Sequence, residues 1–286
     1  MYKITKRKTL SPFAESITIE APLAAKNARA GQFVIIRPFE TSERIPLTIA
    51  DYDGEKGTVT LIFAPVGKTT FELASLKEGE YVSDICGPLG KATDVSGAKN
   101  VIVIGGGVGC AIALPVAKAF KKAGAFVTSV IGFKNAEAVI LKKEFEENSD
   151  NLVLVTDDGS AGEKGFVTAP LKRMLEEKSN GENGARFDEV VAIGPLPMMK
   201  NVCAVTRPFG VKTVASMNPI MIDGTGMCGG CRLKVGGKIK FACVDGPDFD
   251  GHEVDFDSLS ARNSQYKEFE KHERDAACNL FKGADL

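Results

Sequence analysis

The feature that most constrains this chain is a set of cysteines near its C-terminal end. Cys228 and Cys231 are separated by two residues, and Cys243 follows after RLKVGGKIKFA. Thiolates with this kind of spacing hold soft metal ions or iron–sulfur clusters. The sequence therefore predicts a metal centre in this segment.

The residues between the last two cysteines predict a β-hairpin, because apolar residues and lysines alternate on both sides of a Gly-Gly pair. A three-residue turn over 236–238 pairs Val235 with Ile239, and the same register places Cys231 opposite Cys243. A two-residue turn would place the apolar sets on opposite faces. We therefore expect the three-residue turn.

The fourth ligand is expected to be Asp223, because a [2Fe–2S] site usually has the order Cys-x4-Cys-x2-Cys and Asp223 occupies the first of these positions. A carboxylate oxygen can ligate iron. The alternative is that Asp223 only caps a turn before Gly224, and that the cysteines bind zinc or no metal. A zinc ribbon normally has a second Cys-x2-Cys pair, which this sequence lacks. The predicted metal ligands are Asp223, Cys228, Cys231 and Cys243.

Composition is that of a globular protein of ordinary type, with 286 residues, 44% hydrophobic and 26% charged. At about 150 residues per domain we expect two domains. The net charge of −1 gives no reason to expect nucleic-acid binding. An odd number of cysteines, three of which must stay reduced, favours the cytoplasm. The basic start lacks an apolar segment typical of a signal, and the uncharged run 101–117 is too short to span a membrane.

The first part of the chain, residues 1–98, has the pattern of a small antiparallel β-barrel. A short helix is predicted near 70–76, with Thr69 or Thr70 as its cap. The apolar runs are short and separated by turn residues, as in SITIEA (16–21), FVIIRP (33–38), LTIADY (47–52) and TVTLIFAPV (58–66).

The second part, residues 99–218, alternates strands with helices, which predicts a doubly wound parallel sheet. The cluster segment, residues 219–250, follows it, and residues 251–286 are expected to form a C-terminal tail or helix. Strands are predicted at 101–107, 126–132, 152–156, 189–193 and 212–217, and helices at 111–124, 134–148, 168–178 and 197–209.

A glycine turn lies between the first strand and helix of this second part. Gly105, Gly106, Gly107 and Gly109 match G-x-G-x-x-C, with Cys110 where the dinucleotide fingerprint has its third glycine. Backbone N–H groups and the helix dipole favour a pyrophosphate there. The alternative is a tight turn that serves close helix–sheet packing.

Two more loops are expected at the same edge of the sheet, where open parallel sheets bind ligands. One contains Asp157 and Gly159, and the other begins with Gly194 and Pro195. Asp157 and its neighbour Asp158 would repel a ribose 2′-phosphate, which favours NAD(H) over NADP(H). The first loop is also a good turn sequence without a ligand.

Two motifs in the barrel suit a flavin with a diphosphate. An arginine can contact a diphosphate with two N–H groups, and a hydroxyl can face a flavin ring. Taken singly, each motif is more typical of a surface turn. Their residues are Arg44, Pro46, Leu47 and Thr48 in the first motif, and Gly67, Lys68, Thr69 and Thr70 in the second.

The two histidines, His252 and His272, both fall in the polar C-terminal region, so no Ser–His or Cys–His pair is evident for hydrolysis. Electron transfer depends on cofactors and positioning rather than on such a base. Among the other cysteines, Cys86 and Cys203 are expected in the core and Cys110 in the packing of the glycine turn.

Taken together, these motifs resemble the ferredoxin–NADP reductase superfamily, and within it the branch that contains the electron-transfer subunit of dihydroorotate dehydrogenase. The resemblance covers about residues 1–250. It rests on RIPLT (44–48), GKTT (67–70), GPLG (87–90), GGGVG (105–109), TDDGS (156–160), IGP (193–195) and the ligand set from Asp223 to Cys243.

The resemblance implies FAD in the barrel, NADH beside it as substrate, and a [2Fe–2S] cluster in the last segment. Because that branch normally has cysteine where this chain has Asp223, the chain is more similar to the small subunits of NADH-dependent reduced ferredoxin:NADP⁺ oxidoreductases. Those imply a heterodimer with a large iron–sulfur flavoprotein subunit, exchange with ferredoxin through the complex, and electron bifurcation. Two alternatives stay open, a dihydroorotate dehydrogenase electron-transfer subunit and a zinc-stabilised nucleotide-binding regulator.

Overall fold

The computed structural model describes residues 1–180, 186–265 and 268. The strands are β1 (Tyr2–Ser11), β2 (Ala14–Glu20), β3 (Phe33–Arg37), β4 (Ile45–Asp53), β5 (Thr58–Phe63), β6 (Tyr81–Val82), β7 (Asp84–Leu89), β8 (Asn100–Gly106), β9 (Phe126–Phe133), β10 (Asn151–Thr156), β11 (Glu163–Lys164), β12 (Glu189–Ile193), β13 (Lys212–Ser216), β14 (Arg232–Val235), β15 (Lys238–Phe241) and β16 (Asp248–Asp250). The α-helices are α1 (Pro22–Asn27), α2 (Lys68–Ser75), α3 (Cys110–Lys122), α4 (Lys142–Asn148), α5 (Thr168–Asn180), α6 (Leu196–Thr206), α7 (Ala242–Asp245) and α8 (Phe256–Asn263).

The first sheet has the strand order β6-β1-β2-β5-β4-β3-β7 and is antiparallel. Only Ser83 separates β6 from β7, and these two strands pair with opposite edges of the sheet, β1 and β3. The two edges of the sheet are therefore brought together at Ser83, and the sheet curls into a near-barrel, which confirms the predicted antiparallel barrel fold. Its interior is aliphatic, with Ile19, Ile36 and Leu61 fully buried.

The second sheet has the order β11-β10-β9-β8-β12-β13-β16, in which every pair is parallel except β13 with β16. Successive residues of β8 face two different cores. Val103 packs in the core that contains Phe120 of α3, while Ile104 packs in the core that contains Leu171 of α5. Helices thus cover both faces, and the predicted doubly wound arrangement is confirmed.

Two local features differ from the sequence expectation. The helix expected at 134–148 is reduced to α4 (Lys142–Asn148), because Leu141 adopts a left-handed backbone with φ of 58° immediately before it. The second is β16, which the sequence did not predict and which pairs with the edge of the second sheet; α8 lies within the stretch expected to be a tail or helix. The rest of that stretch lies outside the described residues.

The predicted hairpin forms, but its predicted register is wrong by one residue. Val235 pairs with Lys238, so the turn contains only Gly236 and Gly237. Both glycines have positive φ, 56° and 73°, the geometry of the two-residue turn that best matches strand twist. As expected for such a turn, the apolar residues separate: Val235 is buried, whereas Ile239 is 61% exposed.

None of the described helices is long and apolar enough to cross a lipid bilayer.

Candidate functional site

Two of the predicted ligand sulfurs lie together in the cluster segment. Cys231 precedes β14 and Cys243 lies in α7, and their Sγ atoms are 3.2 Å apart. Each residue is only 2% exposed, and the backbone N–H of Cys243 points at the Cys231 sulfur at 3.4 Å. The two thiols meet because α7 turns the chain back after β15, not because of the strand register.

Burial raises the pKa of the Cys243 thiol, and the neighbouring sulfur of Cys231 and the Asp223 carboxylate act in the same direction. Metals bind cysteine as the thiolate, and a bound cation strongly lowers the pKa of its thiol ligands. A buried pair of sulfurs with a backbone N–H directed at one of them is thus a donor set that fits an iron–sulfur group.

Asp223 caps the loop that leads to the cysteines. Its Oδ1 accepts a hydrogen bond from the backbone N–H of Thr225 and its Oδ2 one from that of Cys228, both at 2.6 Å. The Thr225 hydrogen bond, followed by those from Cys228, lowers the pKa of this carboxyl group. An ionised carboxylate has about four acceptor positions, so capping leaves room for a metal on the same side chain.

Cys228 stands apart from the buried pair. Its side chain is exposed, and its sulfur accepts a hydrogen bond from Gly230 N–H at 3.4 Å. Within residues 1–180 and 186–265, no group of three or more histidine, cysteine, aspartate or glutamate side chains is gathered closely enough to hold a metal ion. The structure thus brings together Cys231 and Cys243, and the four-ligand set stays a prediction.

The cluster segment is held against the barrel. Gly224 has φ of 78°, and a Cβ on it would lie 2.6 Å from Leu89 and 2.9 Å from Ile35. On the far side of the cysteines, Lys91 N–H donates to Gly246 O at 2.6 Å. The loop therefore lies directly on β3 and β7, the strands next to the predicted flavin motifs.

The glycine turn is close-packed against a second predicted loop. A Cβ on Gly109 would lie 2.7 Å from Ile193 O, and one on Gly106 would lie 2.4 Å from Met198 Sδ and 3.1 Å from Pro195. The structure thus brings Gly105, Gly106, Gly107 and Gly109 together with Gly194 and Pro195. Gly107, with φ of 56°, has open space at its Cβ position.

Cys110 has the predicted packing role. It is fully buried, and its sulfur lies 2.9 Å from the position of a Cβ on Gly105. Burial raises its pKa far above the usual range. Cys203 is buried as expected, and burial raises its pKa to about 12. Cys86 is exposed on β7, so its predicted core position is wrong.

The loop with Asp157 and Gly159 follows β10, which is separated from β8 by β9. Asp158 accepts hydrogen bonds from the N–H and hydroxyl of Ser160, and these lower its pKa. Asp157 is exposed. The loop reaches the predicted edge of the sheet, two strands away from the glycine turn.

The arginine of the first barrel motif lies in an ion-pair network that the sequence reading missed. Arg44 is 3.6 Å from Asp84, and Arg37 donates to the same carboxylate at 2.9 Å. Arg37 and Asp84 are paired residues of β3 and β7, so only the strand register reveals the network. Pro46, Leu47 and Thr48 lie at the start of β4, each half-buried and paired with β3.

The second barrel motif forms the first turn of α2, which begins at Lys68. The hydroxyl of Thr70 accepts from Gly67 N–H at 2.9 Å and donates to Gly67 O at 2.8 Å, so Thr70 reaches back to cap the helix. The hydroxyl of Thr69 is buried and has no hydrogen-bond partner among the described residues. A buried hydroxyl without a partner at a helix N-terminus fits a bound phosphate.

Comparison with known proteins agrees with this arrangement. Residues 218–255 match the sequence family described as the iron-sulfur cluster binding domain of dihydroorotate dehydrogenase B. The dihydroorotate dehydrogenase B electron transfer subunit homolog of Thermotoga maritima is 47% identical over 94% of this chain and 93% of its own length. The electron transfer subunit of Fusobacterium nucleatum is 32% identical over 79% and 87%.

Solved structures share this fold over most of the chain. A structure of NADH-dependent reduced ferredoxin-NADP oxidoreductase, studied for flavin-based electron bifurcation, has a TM-score of 0.88 and 44% identity over 96% of this chain and 97% of that chain. The cytochrome b5 reductase domain of Ulva prolifera nitrate reductase shares the fold alone, with a TM-score of 0.58 and 18% identity over 74% and 93%. This chain therefore belongs to the family of dihydroorotate dehydrogenase B electron transfer subunits, FAD- and NAD-binding oxidoreductase subunits with an iron–sulfur binding domain, within the ferredoxin–NADP reductase superfamily.

Proposed function

We propose that the chain is the small subunit of an electron-bifurcating NADH-dependent reduced ferredoxin:NADP⁺ oxidoreductase. In this role it carries electrons between NAD(H), FAD and a [2Fe–2S] cluster held by Asp223, Cys228, Cys231 and Cys243. The observation that carries the proposal is the buried pair of Cys231 and Cys243 sulfurs at 3.2 Å, in a loop capped by an aspartate.

The barrel motifs supply the proposed FAD site. Arg44 offers a guanidinium to a diphosphate, and the N-terminal turn of α2 offers the Thr69 hydroxyl. Asp84 pairs with Arg44 and limits where its guanidinium can move. Thr48, half-buried in β4, is the hydroxyl proposed to face the flavin ring.

The glycine turn supplies the proposed NAD(H) site. The missing Cβ atoms at Gly106 and Gly109 allow β8, α3 and the Gly194–Pro195 turn to meet, and Gly107 leaves the backbone open to a pyrophosphate. Asp157 lies at the same edge of the sheet, and its exposed carboxylate disfavours a 2′-phosphorylated dinucleotide. When bound, the cofactors supply hydride acceptance and single-electron transfer, so the chain's own task is to hold and orient them.

A partner subunit is proposed to cover the outer face of the cluster segment. Met227, Ile222 and Val244 are 89%, 56% and 41% exposed around the cysteine loop. A Cβ added to Gly226 would lie 3.1 Å from Val244, and one added to Gly230 would lie 3.8 Å from Ile222. These apolar side chains therefore border the cysteine loop itself. Exposed apolar groups beside an electron-transfer site suit a docking surface. We assign it to a large iron–sulfur flavoprotein subunit, through which ferredoxin is reached.

The second candidate partner is a dihydroorotate-oxidising subunit, which the names of the Thermotoga and Fusobacterium relatives favour. In that case the cofactors stay the same and the partner differs. The aspartate at position 223 and the bifurcation-related structure favour the first candidate. The described cysteines are all unpaired, which supports a reducing compartment such as the cytoplasm.

The decisive test is anaerobic purification, with the visible spectrum recorded and iron, zinc and flavin quantified on one sample. A flavin band and an iron–sulfur shoulder that both bleach on addition of NADH are expected. A colourless sample with stoichiometric zinc would overturn the proposal. Co-purification of the partner then separates the two candidates, because only one of them oxidises dihydroorotate.

A further inference from the structure

A cleft of about 810 Å³ opens between the two sheets, on the side where residues 92–99 connect them. We call it the linker cleft, and Arg29, Tyr52, Lys99 and Lys122 are the lining residues on which its chemistry depends. Clefts that bind small molecules commonly enclose about 300–1,000 Å³. The linker cleft therefore has room for a mononucleotide.

The cleft is positively charged, and its cations are unpaired. Arg29, Lys99 and Lys122 are exposed and come from three separate segments, and none of their side chains makes an ion pair or hydrogen bond with the described residues. Asp94 is the single carboxylate among the lining residues. Its Oδ1 accepts from the N–H and hydroxyl of Ser96, at 3.0 and 2.7 Å, so it leaves the cations free for a ligand.

The position of Lys122 has an ordinary explanation as well, because a cation at the last residue of α3 complements the helix dipole. That explanation does not extend to Arg29, which follows α1, or to Lys99, which precedes β8. Three cations that line one cleft from three separate segments favour an anionic ligand over helix capping alone. Tyr52, which also lines the cleft and is 40% exposed, adds a flat aromatic face.

The linker cleft is distinct from the glycine turn. The two lie at opposite ends of α3, whose 13 residues span about 20 Å at roughly 1.5 Å per residue. A ligand in the cleft therefore does not overlap a dinucleotide at Gly105–Gly109. This site is also independent of the function proposed above.

We propose that the linker cleft binds a phosphorylated nucleotide, whose phosphates contact Arg29, Lys99 and Lys122 and whose base stacks on Tyr52. Arg29 and Tyr52 belong to the barrel side, whereas Lys99 and Lys122 belong to the second sheet and its helices. The nucleotide thus bridges the two halves of the chain and stabilises their relative position.

The test is equilibrium dialysis of the flavin- and iron-loaded protein against ADP, with NAD⁺ present at saturation so that the glycine turn is occupied. One ADP per chain is expected. Arg29→Ala, Lys99→Ala and Lys122→Ala should each weaken ADP binding about tenfold, as expected for loss of one cation–phosphate contact. Lys143→Ala, an exposed lysine on α4, is the matched control and should change nothing.

Binding of inorganic pyrophosphate, which has phosphates but no base, tests the phosphate contacts separately from the contact between the base and Tyr52. Tyr52→Ala should weaken ADP and leave the weaker binding of pyrophosphate unchanged. The proposal is overturned if ADP shows no saturable binding beside NAD⁺, if the three charge variants bind ADP normally, or if ADP and pyrophosphate bind equally and Tyr52→Ala affects neither. An unchanged flavin spectrum shows that each variant is folded.

Discussion

The Sγ atoms of Cys231 and Cys243 lie 3.2 Å apart although the two residues come from different elements. One precedes a strand and the other lies in a one-turn helix, and the N–H of Cys243 points at its neighbour's sulfur. These two sulfurs are half of the four proposed ligands, and the fold already holds them together. Replacing either one therefore removes a metal donor from the proposed site.

Cys243→Ser is expected to lose most of the bound iron, because the hydroxyl is a poorer ligand for iron than the thiolate and is held in the same buried position. Iron and acid-labile sulfide per flavin, together with the visible spectrum, measure the effect. Cys86→Ser, which changes an exposed cysteine on β7, is the control and should keep full iron. Equal iron together with an unchanged visible spectrum in both variants would show that Cys243 is not a ligand.

Asp223→Cys is expected to retain a cluster with a changed reduction potential and EPR signal, since a thiolate replaces a carboxylate oxygen. Asp223→Ala additionally removes both hydrogen bonds to the backbone N–H groups of Thr225 and Cys228, each typically about 1 kcal/mol. If Asp223→Cys has the same reduction potential and EPR signal as the wild type, Asp223 is not a ligand and its carboxylate only caps the loop.

The order of barrel, doubly wound sheet and cysteine segment could be predicted because each has its own periodicity and glycine pattern. The hairpin register could not, because the alternation of RLKV and KIKF favours the three-residue turn, which would put the apolar residues of both strands on one face. Backbone geometry decided it: adjacent glycines at Gly236 and Gly237 both adopt positive φ, which favours the two-residue turn over burial of Ile239.

Contacts that depend on strand pairing could not be predicted either, because the sequence does not show which strands pair or in which register. Arg37 and Asp84 are 47 positions apart in the chain and meet only because β3 pairs with β7. The strand DFD (248–250) is too short to show a period of two, yet it completes the second sheet. Cys86 was expected in the core from its residue type alone, and its strand turns it outward.

Arg44→Ala is expected to weaken FAD binding about tenfold, through loss of a charge-assisted contact with the diphosphate. Asp84→Asn should weaken it less, because it releases Arg44 without removing the charge. Fluorescence titration of the apoprotein with FAD measures both. Arg173→Ala, which breaks an exposed ion pair with Glu163 on the second sheet, serves as the control. An unchanged FAD affinity in Arg44→Ala would show that the diphosphate does not contact Arg44.

Gly109→Ala is expected to destabilise the fold by about 1–3 kcal/mol and to weaken NADH binding, because the new Cβ would lie 2.7 Å from Ile193 O and 2.8 Å from Gly194 Cα. Backbone atoms on both sides cannot move aside easily. Gly54→Ala, where the nearest atoms are 3.9 Å away, is the matched control and should be close to neutral. Thermal unfolding should therefore show a lower Tm, and NADH titration a weaker affinity, for Gly109→Ala than for Gly54→Ala. Similar values for the two variants would contradict the close packing at Gly109.

Asp248→Asn is expected to stabilise the protein progressively as pH rises. Burial raises the pKa of Asp248 above its unfolded value, against hydrogen bonds from Thr93 and Ser216 that lower it, and one carboxylate oxygen is buried without a partner. A raised acid pKa means that the folded state binds the proton more tightly. The wild type therefore loses stability as pH rises from the unfolded pKa through the folded one.

Asparagine does not titrate and keeps an oxygen for the Thr93 hydroxyl, so its Tm minus that of the wild type should grow as pH rises above about 4, the pKa of an unfolded aspartate. Asp158→Asn is the opposite control: hydrogen bonds from Ser160 lower that pKa, so the wild type keeps this stabilisation above about pH 4 and loses it as pH falls below that value, where the variant should catch up. Melting curves recorded from below pH 4 to neutral pH test both signs. A Tm difference for Asp248→Asn that stays flat with pH would mean that Asp248 titrates alike in the folded and unfolded chain.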